Sequence, residues 1–185
     1  MSAWTLGCQP PATRRSPGRG SVVTVSPRNF VEPTQWYAAM ATFYVSACIF
    51  VTDPDDRVLV VKPNYRPYWG LPGGIADEGE RPDECIAREA VEELGLVLPI
   101  GNLLAVDWAP PVNLQPKAMI NFTFDGGTIT DPATIHLQED ELDEFAFLPW
   151  DEATKRLPAV TAPRIGASHR ARKDGNTIYI PTDRS

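Results

Sequence analysis

Between residues 73 and 96 the chain reads Gly73-Gly74-Ile75-Ala76-Asp77-Glu78-Gly79-Glu80, then Arg81 to Ala87, then Arg88-Glu89-Ala90-Val91-Glu92-Glu93-Leu94-Gly95-Leu96. At about 100° per residue in a helix, Glu89, Glu92 and Glu93 stand at i, i+3 and i+4 and share one side. Arg88 lies one turn before Glu92 and can pair with it or orient it. A rigid helix that gathers three carboxylates is a poor arrangement for stability and a good one for binding a hard divalent cation through oxygen. Taken alone, a Glu-rich face is most often a solvated surface, and Gly73-Gly74 alone reads as a tight turn. Their joint spacing points to chemistry.

The acids are also concentrated. The 185 residues carry 24 acids and 17 Lys or Arg, a formal charge of −7. Residues 77–93 hold eight of the carboxylates and residues 139–144 five more (Glu139, Asp140, Glu141, Asp143 and Glu144). Packed like charges repel, so they need free solvation or cations. Bulk charge speaks against nucleic-acid binding, which normally leaves a basic footprint. Residues 1–32 run the other way, with four Arg against Glu32 alone.

The elements that must position this chemistry are legible on both sides. Thr42–Val51 and Arg57–Lys62 are apolar, β-branched runs around Asp53-Pro54-Asp55-Asp56, which predicts a hairpin. Tyr68-Trp69-Gly70-Leu71-Pro72-Gly73-Gly74 predicts a short strand entering a constrained loop. Residues 82–94 predict a helix with Ile86, Ala87, Ala90, Val91 and Leu94 on its apolar stripe, closed by a left-handed Gly95. Leu103–Trp108, Met119–Phe124, Glu144–Leu148 and Thr177–Ile180 read as strands, with a turn at Asp125-Gly126-Gly127. Asp151–Leu157 and part of 159–173 read as helices. Residues 1–33, rich in Pro and Gly, read as a tail with a short strand at Val22–Val25; residues 34–185 read as the domain, its core about 38–157 and a basic helix and strand in 158–185. The sum is a mixed α/β domain.

The segment resembles the Nudix box: Gly, five residues, Glu, seven residues, Arg-Glu, an apolar residue, any residue, Glu-Glu, any residue, Gly, apolar. Those places are Gly74, Glu80, Arg88, Glu89, Ala90, Glu92, Glu93, Gly95 and Leu96. Agreement at seven invariant-type positions by chance is about one in 10⁸ per start position at background usage. Ala90 replaces the usual bulky aliphatic, and Arg81 stands where a Ser or Thr often caps the helix.

The resemblance implies an α/β/α sandwich with a mixed β-sheet between helices. It implies hydrolysis of a nucleoside diphosphate linked to another group X, with Mg²⁺ or Mn²⁺. Glu92 and Glu93 would then be metal ligands, Glu89 a ligand or the general base, and Arg88 the residue holding the carboxylates. A carbonyl of Gly73 or Gly74 would complete the metal site, and Glu80 would support it. Relatives often add a carboxylate from beyond the box, for which Glu141 is favoured, with Glu139 and Glu144 as alternates. A nucleotide-sensing module of the same fold, or a hydrolase of isoprenyl diphosphates, are the competing implications. The expected partner is a small nucleotide or diphosphate, with no membrane; dimerisation is common in the family and stays open.

Substrate choice is less legible. Lys62, Arg66 and Lys117 are candidates for phosphate contacts, against the default of solvated bases. Trp108, Phe122 and Trp150 could stack on a base, although such aromatics more often fill a core. Pro111, sixteen residues after Gly95, resembles an ADP-ribose-hydrolysing subgroup, while Pro110-Pro111 also ends a strand. The basic stretch 155–173 could line a pocket or attract anionic ligands, against the more usual reading of a solvated face. His136 and His169 lack visible ligand partners. Three widely spaced cysteines form no disulfide framework and predict a reducing, cytoplasmic setting.

Overall fold

In the computed structural model, residues 32–112 and 115–181 are described. The chain divides into two compact units, Met1–Met40 and Ala41–Ser185. In the first, a short helix α1, Pro33–Ala38, starts on its proline and leaves Trp36 and Tyr37 exposed, their rings edge to face. The strand expected at Val22–Val25 lies outside the described residues.

The second unit carries the predicted elements in the predicted order, except that the short strand expected from Tyr68 forms instead at Gly73–Ile75, and Gly70 makes only an isolated bridge to Val61. Strands β1 (Tyr44–Thr52), β2 (Val58–Pro63), β3 (Gly73–Ile75), β4 (Leu103–Ala109), β5 (Met119–Thr128), β6 (Leu142–Leu148) and β7 (Ile178–Pro181) form one mixed sheet. Its order is β6-β2-β1-β5-β4-β7, with β3 added on β1. β1 runs parallel to β5, and β4 parallel to β7. Helix α2 (Pro82–Leu94) covers one face; α3 (Trp150–Arg156) and α4 (Pro163–Asp174) cover the other. This is the expected α/β/α sandwich.

The two-residue period of the strands builds both layers. Ile49, Val51, Leu59 and Val61 pack with Ile86 and Leu94 of α2. Their neighbours Phe50, Val58 and Val60 pack with Leu157, Ile165 and Ala171 on the opposite face. Each such fully buried aliphatic or aromatic side chain contributes roughly 1.5–3 kcal/mol. The small Ala90 is fully buried on α2.

Three local expectations need correction. Ala87 and Val91 are exposed, and Cys85 and Glu93 take buried places on α2. The apolar stripe is narrower than the residue types suggested, because the helix meets the sheet along Ile86, Ala90 and Leu94. Second, Asp125-Gly126-Gly127 does not end β5. The register against β1 shifts there, Gly127 takes a positive φ of 71°, and the Asp125 carboxylate accepts the Gly127 N–H. The strand passes through a bulge to Thr128. Third, the basic stretch is a solvated face only in part: Lys155, Arg156, Arg170 and Lys173 are exposed, while Arg164 and Arg172 turn inward to Asp107 and Asp125. Among the described residues no helix is long and apolar enough to cross a membrane.

Candidate active site

The edge of β1 is shared. Its C-terminal end pairs with β2 at Thr52, while Ser46, Ala47 and Cys48 pair with Ile75, Gly74 and Gly73 of β3. A cavity of about 520 Å³ is lined by residues of β1 and β3 and of both helical layers. Glu89, Glu93, Glu141, Gly73, Gly74 and Arg66 line one end of it.

Helix α2 is placed by its own sequence. Pro82 sits at its first position, Asp83 and Glu84 occupy its first turn, and the Glu84 carboxylate accepts the Arg81 N–H at 3.1 Å. That reciprocal contact supplies a cap without Ser or Thr. Gly95, φ 68°, closes the helix in the left-handed conformation. Both glycines of β3 are required. Gly73 has φ 138°, and a Cβ on it would run into the Ala47 carbonyl; a Cβ on Gly74 would occupy the place of the Glu89 carboxylate. Loop and helix therefore close on each other only because these side chains are missing.

Helical geometry splits the glutamate trio. Glu89 and Glu93 lie four residues apart and face the cavity; Glu92 lies on the flank with Arg88, also four residues away. The Arg88 guanidinium donates to Glu80 at 3.0 Å, to Glu89 at 2.9 Å and to Glu92 at 2.8 Å, and to the Ile75 carbonyl at 3.3 Å. Glu92 is not among the cavity-lining residues, since it is held by Arg88 and half exposed. Glu93 is only 8 % exposed and accepts the Gly73 N–H at 2.7 Å.

Charge follows burial. Desolvation pushes the Glu93 carboxyl up to about 7, with repulsion from Glu89 and Glu141 adding to it and the Gly73 N–H and Arg66 opposing it. Burial also raises Glu89, against its hydrogen bond with Arg88. Glu80 is lowered, chiefly by its bond to Arg88. Burial lifts the Cys85 thiol to about 11, and its Sγ points at the Gly74 carbonyl, 3.8 Å away.

Among the described residues, no three acidic or metal-type side chains converge tightly enough to make a ready cage. The donor set nonetheless fits a hard divalent cation: all oxygen, with Glu89 and Glu93 largely buried, Glu141 exposed beside them, and the carboxylates repelling each other even with Arg88 on Glu89. A cation there would stabilise the charged forms that burial now disfavours.

Of the acids in 139–144, Glu141 alone lines the cavity; Glu139 and Glu144 do not, and Glu144 sits opposite Lys62 on β6. Of the three bases singled out, Arg66 lines the cavity, its guanidinium 5.1 Å and 5.4 Å from the Tyr65 and Tyr68 ring centres. Its Nε is buried without a hydrogen-bond partner. Lys62 and Lys117 stand apart, Lys117 lying over the Tyr44 ring. Trp108, Phe122, Trp150 and Pro111 also lie outside the lining; Trp150 stacks on His169, which pairs with Asp56 at 2.8 Å. Pro110-Pro111 follows the end of β4.

Apart from the reading that 155–173 could line a pocket, sequence reasoning missed the far end of the cavity. Ser46 and Cys48 of β1 and Asn121 of β5 line it with Arg164 of α4. Their spacing of two along β1 is a strand period, but nothing in the sequence pairs Arg164 with Asp107, 57 residues earlier.

Residues 42–167 match the family described as NUDIX domain. The chain belongs to that family. Among curated relatives of this NUDIX chain, a prenyl-diphosphate phosphatase of Methanosarcina mazei is 27% identical over 121 residues, 62% of this chain and 66% of the relative. An ADP-ribose pyrophosphatase of Methanocaldococcus jannaschii is 35% identical over 63 residues, 32% of this chain and 37% of the relative. The matched stretches thus span less than two thirds of either relative's length. A crystal structure of a MutT protein from Methanosarcina mazei Go1 superposes with a TM-score of 0.61 at 22% identity, covering 72% of this chain and 97% of that one. That likeness speaks for the NUDIX fold.

Proposed function

We propose that the chain hydrolyses a diphosphate linkage in a small molecule, by attack of water on phosphorus, with Mg²⁺ or Mn²⁺ as cofactor. The observation that carries this reading is the set Glu89, Glu93 and Glu141, brought from helix and loop to one cavity wall beside Arg66. The two curated relatives bear names that differ in the group carried and share the diphosphate.

Glu89, Glu93 and Glu141, with a carbonyl of Gly73 or Gly74, would hold the cation, and Glu92 would join them if it left Arg88. When bound, such a cation neutralises phosphate oxygens and lowers the pKa of a coordinated water. The chain's own residues do the rest. Glu89, raised by burial, can accept the proton of the attacking water. Arg88 fixes the orientation of Glu89 through a bond that also spans Glu80. Arg66, with an unused Nε, donates to a phosphate oxygen and compensates charge developing there. The buried free thiols Cys48 and Cys85 suit a reducing, cytoplasmic setting.

The test is a panel of nucleoside diphosphate derivatives, nucleoside triphosphates and isoprenyl diphosphates, each with Mg²⁺ or Mn²⁺, scored by released phosphate products. Cation-dependent hydrolysis of at least one class is expected. Tight binding with no turnover of any of them would favour a sensing module.

A further inference from the structure

Three acids stand in a row at Glu139, Asp140 and Glu141, and of these Glu141 lines the cavity. A tight turn aims it. The Gln138 carbonyl accepts the N–H of Glu141 at 3.0 Å and that of Leu142, where β6 begins, at 2.9 Å. One side of the turn is fastened to the end of α2. There the Gln138 N–H donates to the Glu93 carbonyl at 3.2 Å, and the His136 N–H to the Leu94 carbonyl at 2.8 Å. Glu141 is thereby held close enough for its charge to act on both Glu89 and Glu93.

The other side meets the end of β2, where the ladder to β6 is irregular. Lys62 pairs with Glu144 and Pro63 with Leu142, so the register skips Asp143. Pro63 has no N–H to give. Asn64 supplies the two bonds that follow. Its backbone N–H donates to the Glu141 carbonyl at 2.9 Å, and its side-chain amide donates to the Asp140 carbonyl at 2.8 Å. The residue type matters here, because an ionised Asp of the same size would bring no donor.

Electrostatics give the side-chain bond its purpose. A turn carrying three carboxylates faces Glu89 and Glu93, and like charges push it outward into solvent. A clamp on Asp140 opposes that motion one residue before Glu141. Asn64 is itself exposed and is absent from the cavity lining. It fills no core, yet it holds a loop 76 residues away in sequence.

We propose that Asn64 is a positioning residue for the reaction: its side-chain amide, clamped on the Asp140 carbonyl, keeps the Glu141 carboxylate turned toward the cation site. The assignment rests on the reading above that Glu141 helps to hold a divalent cation. Asn64 acts through the turn and touches neither cation nor substrate.

The experiment titrates the full chain with Mn²⁺ alone, reading free Mn²⁺ by electron paramagnetic resonance so that weak binding is still measured. Wild type is compared with Asn64→Ala, Asn64→Gln, Glu141→Gln, the pair Asn64→Ala/Glu141→Gln, and Glu93→Gln, each first shown to melt cooperatively. The backbone bond from residue 64 is available in all of them, so Asn64→Ala tests the Asp140 contact by itself. Expected for Asn64→Ala is a loss of about three- to tenfold in Mn²⁺ affinity, the worth of one hydrogen bond. Asn64→Gln, which keeps the donor, should lose less. Adding Asn64→Ala to Glu141→Gln should cost nothing further. An equal loss in both backgrounds overturns the assignment, because a general role in folding would not depend on Glu141. Unchanged affinity in Asn64→Ala overturns it too. If Glu141→Gln binds Mn²⁺ like wild type while Glu93→Gln is weakened, the roles of Asn64 and Glu141 fall together and the cation reading stands. If Glu93→Gln is not weakened either, the cation reading falls with them.

Discussion

The two walls of the cavity hold charge in opposite ways. At one, Glu89 and Glu93 share a buried space, repel each other and are raised above ordinary carboxylates. At the other, Asp107 and Arg164 are equally buried but matched, fork to fork. On the proposed reading a cation would complete the first wall; the second is already complete within the chain. Incomplete charge is suited to catalysis, where a ligand supplies what is missing. Matched charge is suited to holding a shape.

The contrast can be broken most severely at the incomplete wall. Glu93→Gln is expected to reduce turnover at least about a hundredfold while the protein stays folded, because it removes a ligand and a repelled charge together. Circular dichroism and steady-state rates separate the two effects. Glu92→Gln tests whether Glu92 leaves Arg88 for the cation: a comparable loss shows that it does, and a mild one confines it to orienting Arg88. The same wall predicts that Mg²⁺ or Mn²⁺ raises the melting temperature of the wild type, since only the folded state has the site. That rise should vanish in Glu93→Gln.

At the matched wall, the expected effects are on stability and depend on pairing. Asp107→Leu alone leaves a buried guanidinium uncompensated and should cost about 3–5 kcal/mol by denaturant unfolding. Adding Arg164→Met to it should restore most of that loss. If the double variant is no better than the single one, the pair is more than self-contained charge. The smallest effect belongs to exposed pairs such as Lys155–Asp151, 3.4 Å apart, where Lys155→Ala should change stability by less than about 1 kcal/mol.

How much of this was legible from sequence differs between the walls for the same physical reason. Helix α2, its glycine stop and the carboxylates are encoded within 24 consecutive residues, so spacing alone exposes them. Glu141 could be favoured because few other acids were left to supply the loop carboxylate. The separation of Glu92 from Glu93 was not legible, since it depends on which flank of the helix meets the sheet. Arg164 was less so. A run of bases reads as a solvated face until the fold brings Asp107 beneath it, and Asn121 looks like any polar residue on an alternating strand. Motifs written in local sequence can be read; motifs assembled by pairing distant strands need the fold.

Strand β1 serves both walls. The backbone at Ala47 and Cys48 carries the glycines that bring in Glu89 and Glu93, while the Ser46 and Cys48 side chains reach the Asn121 and Arg164 side. One strand thus spans from the carboxylate end of the cavity to its far end. A strand cannot change length as a loop can, so the spacing of the two ends is fixed. Inserting a single residue in β1 would do more than shift a contact. It would turn alternate side chains over and carry Ser46 and Cys48 away from Asn121.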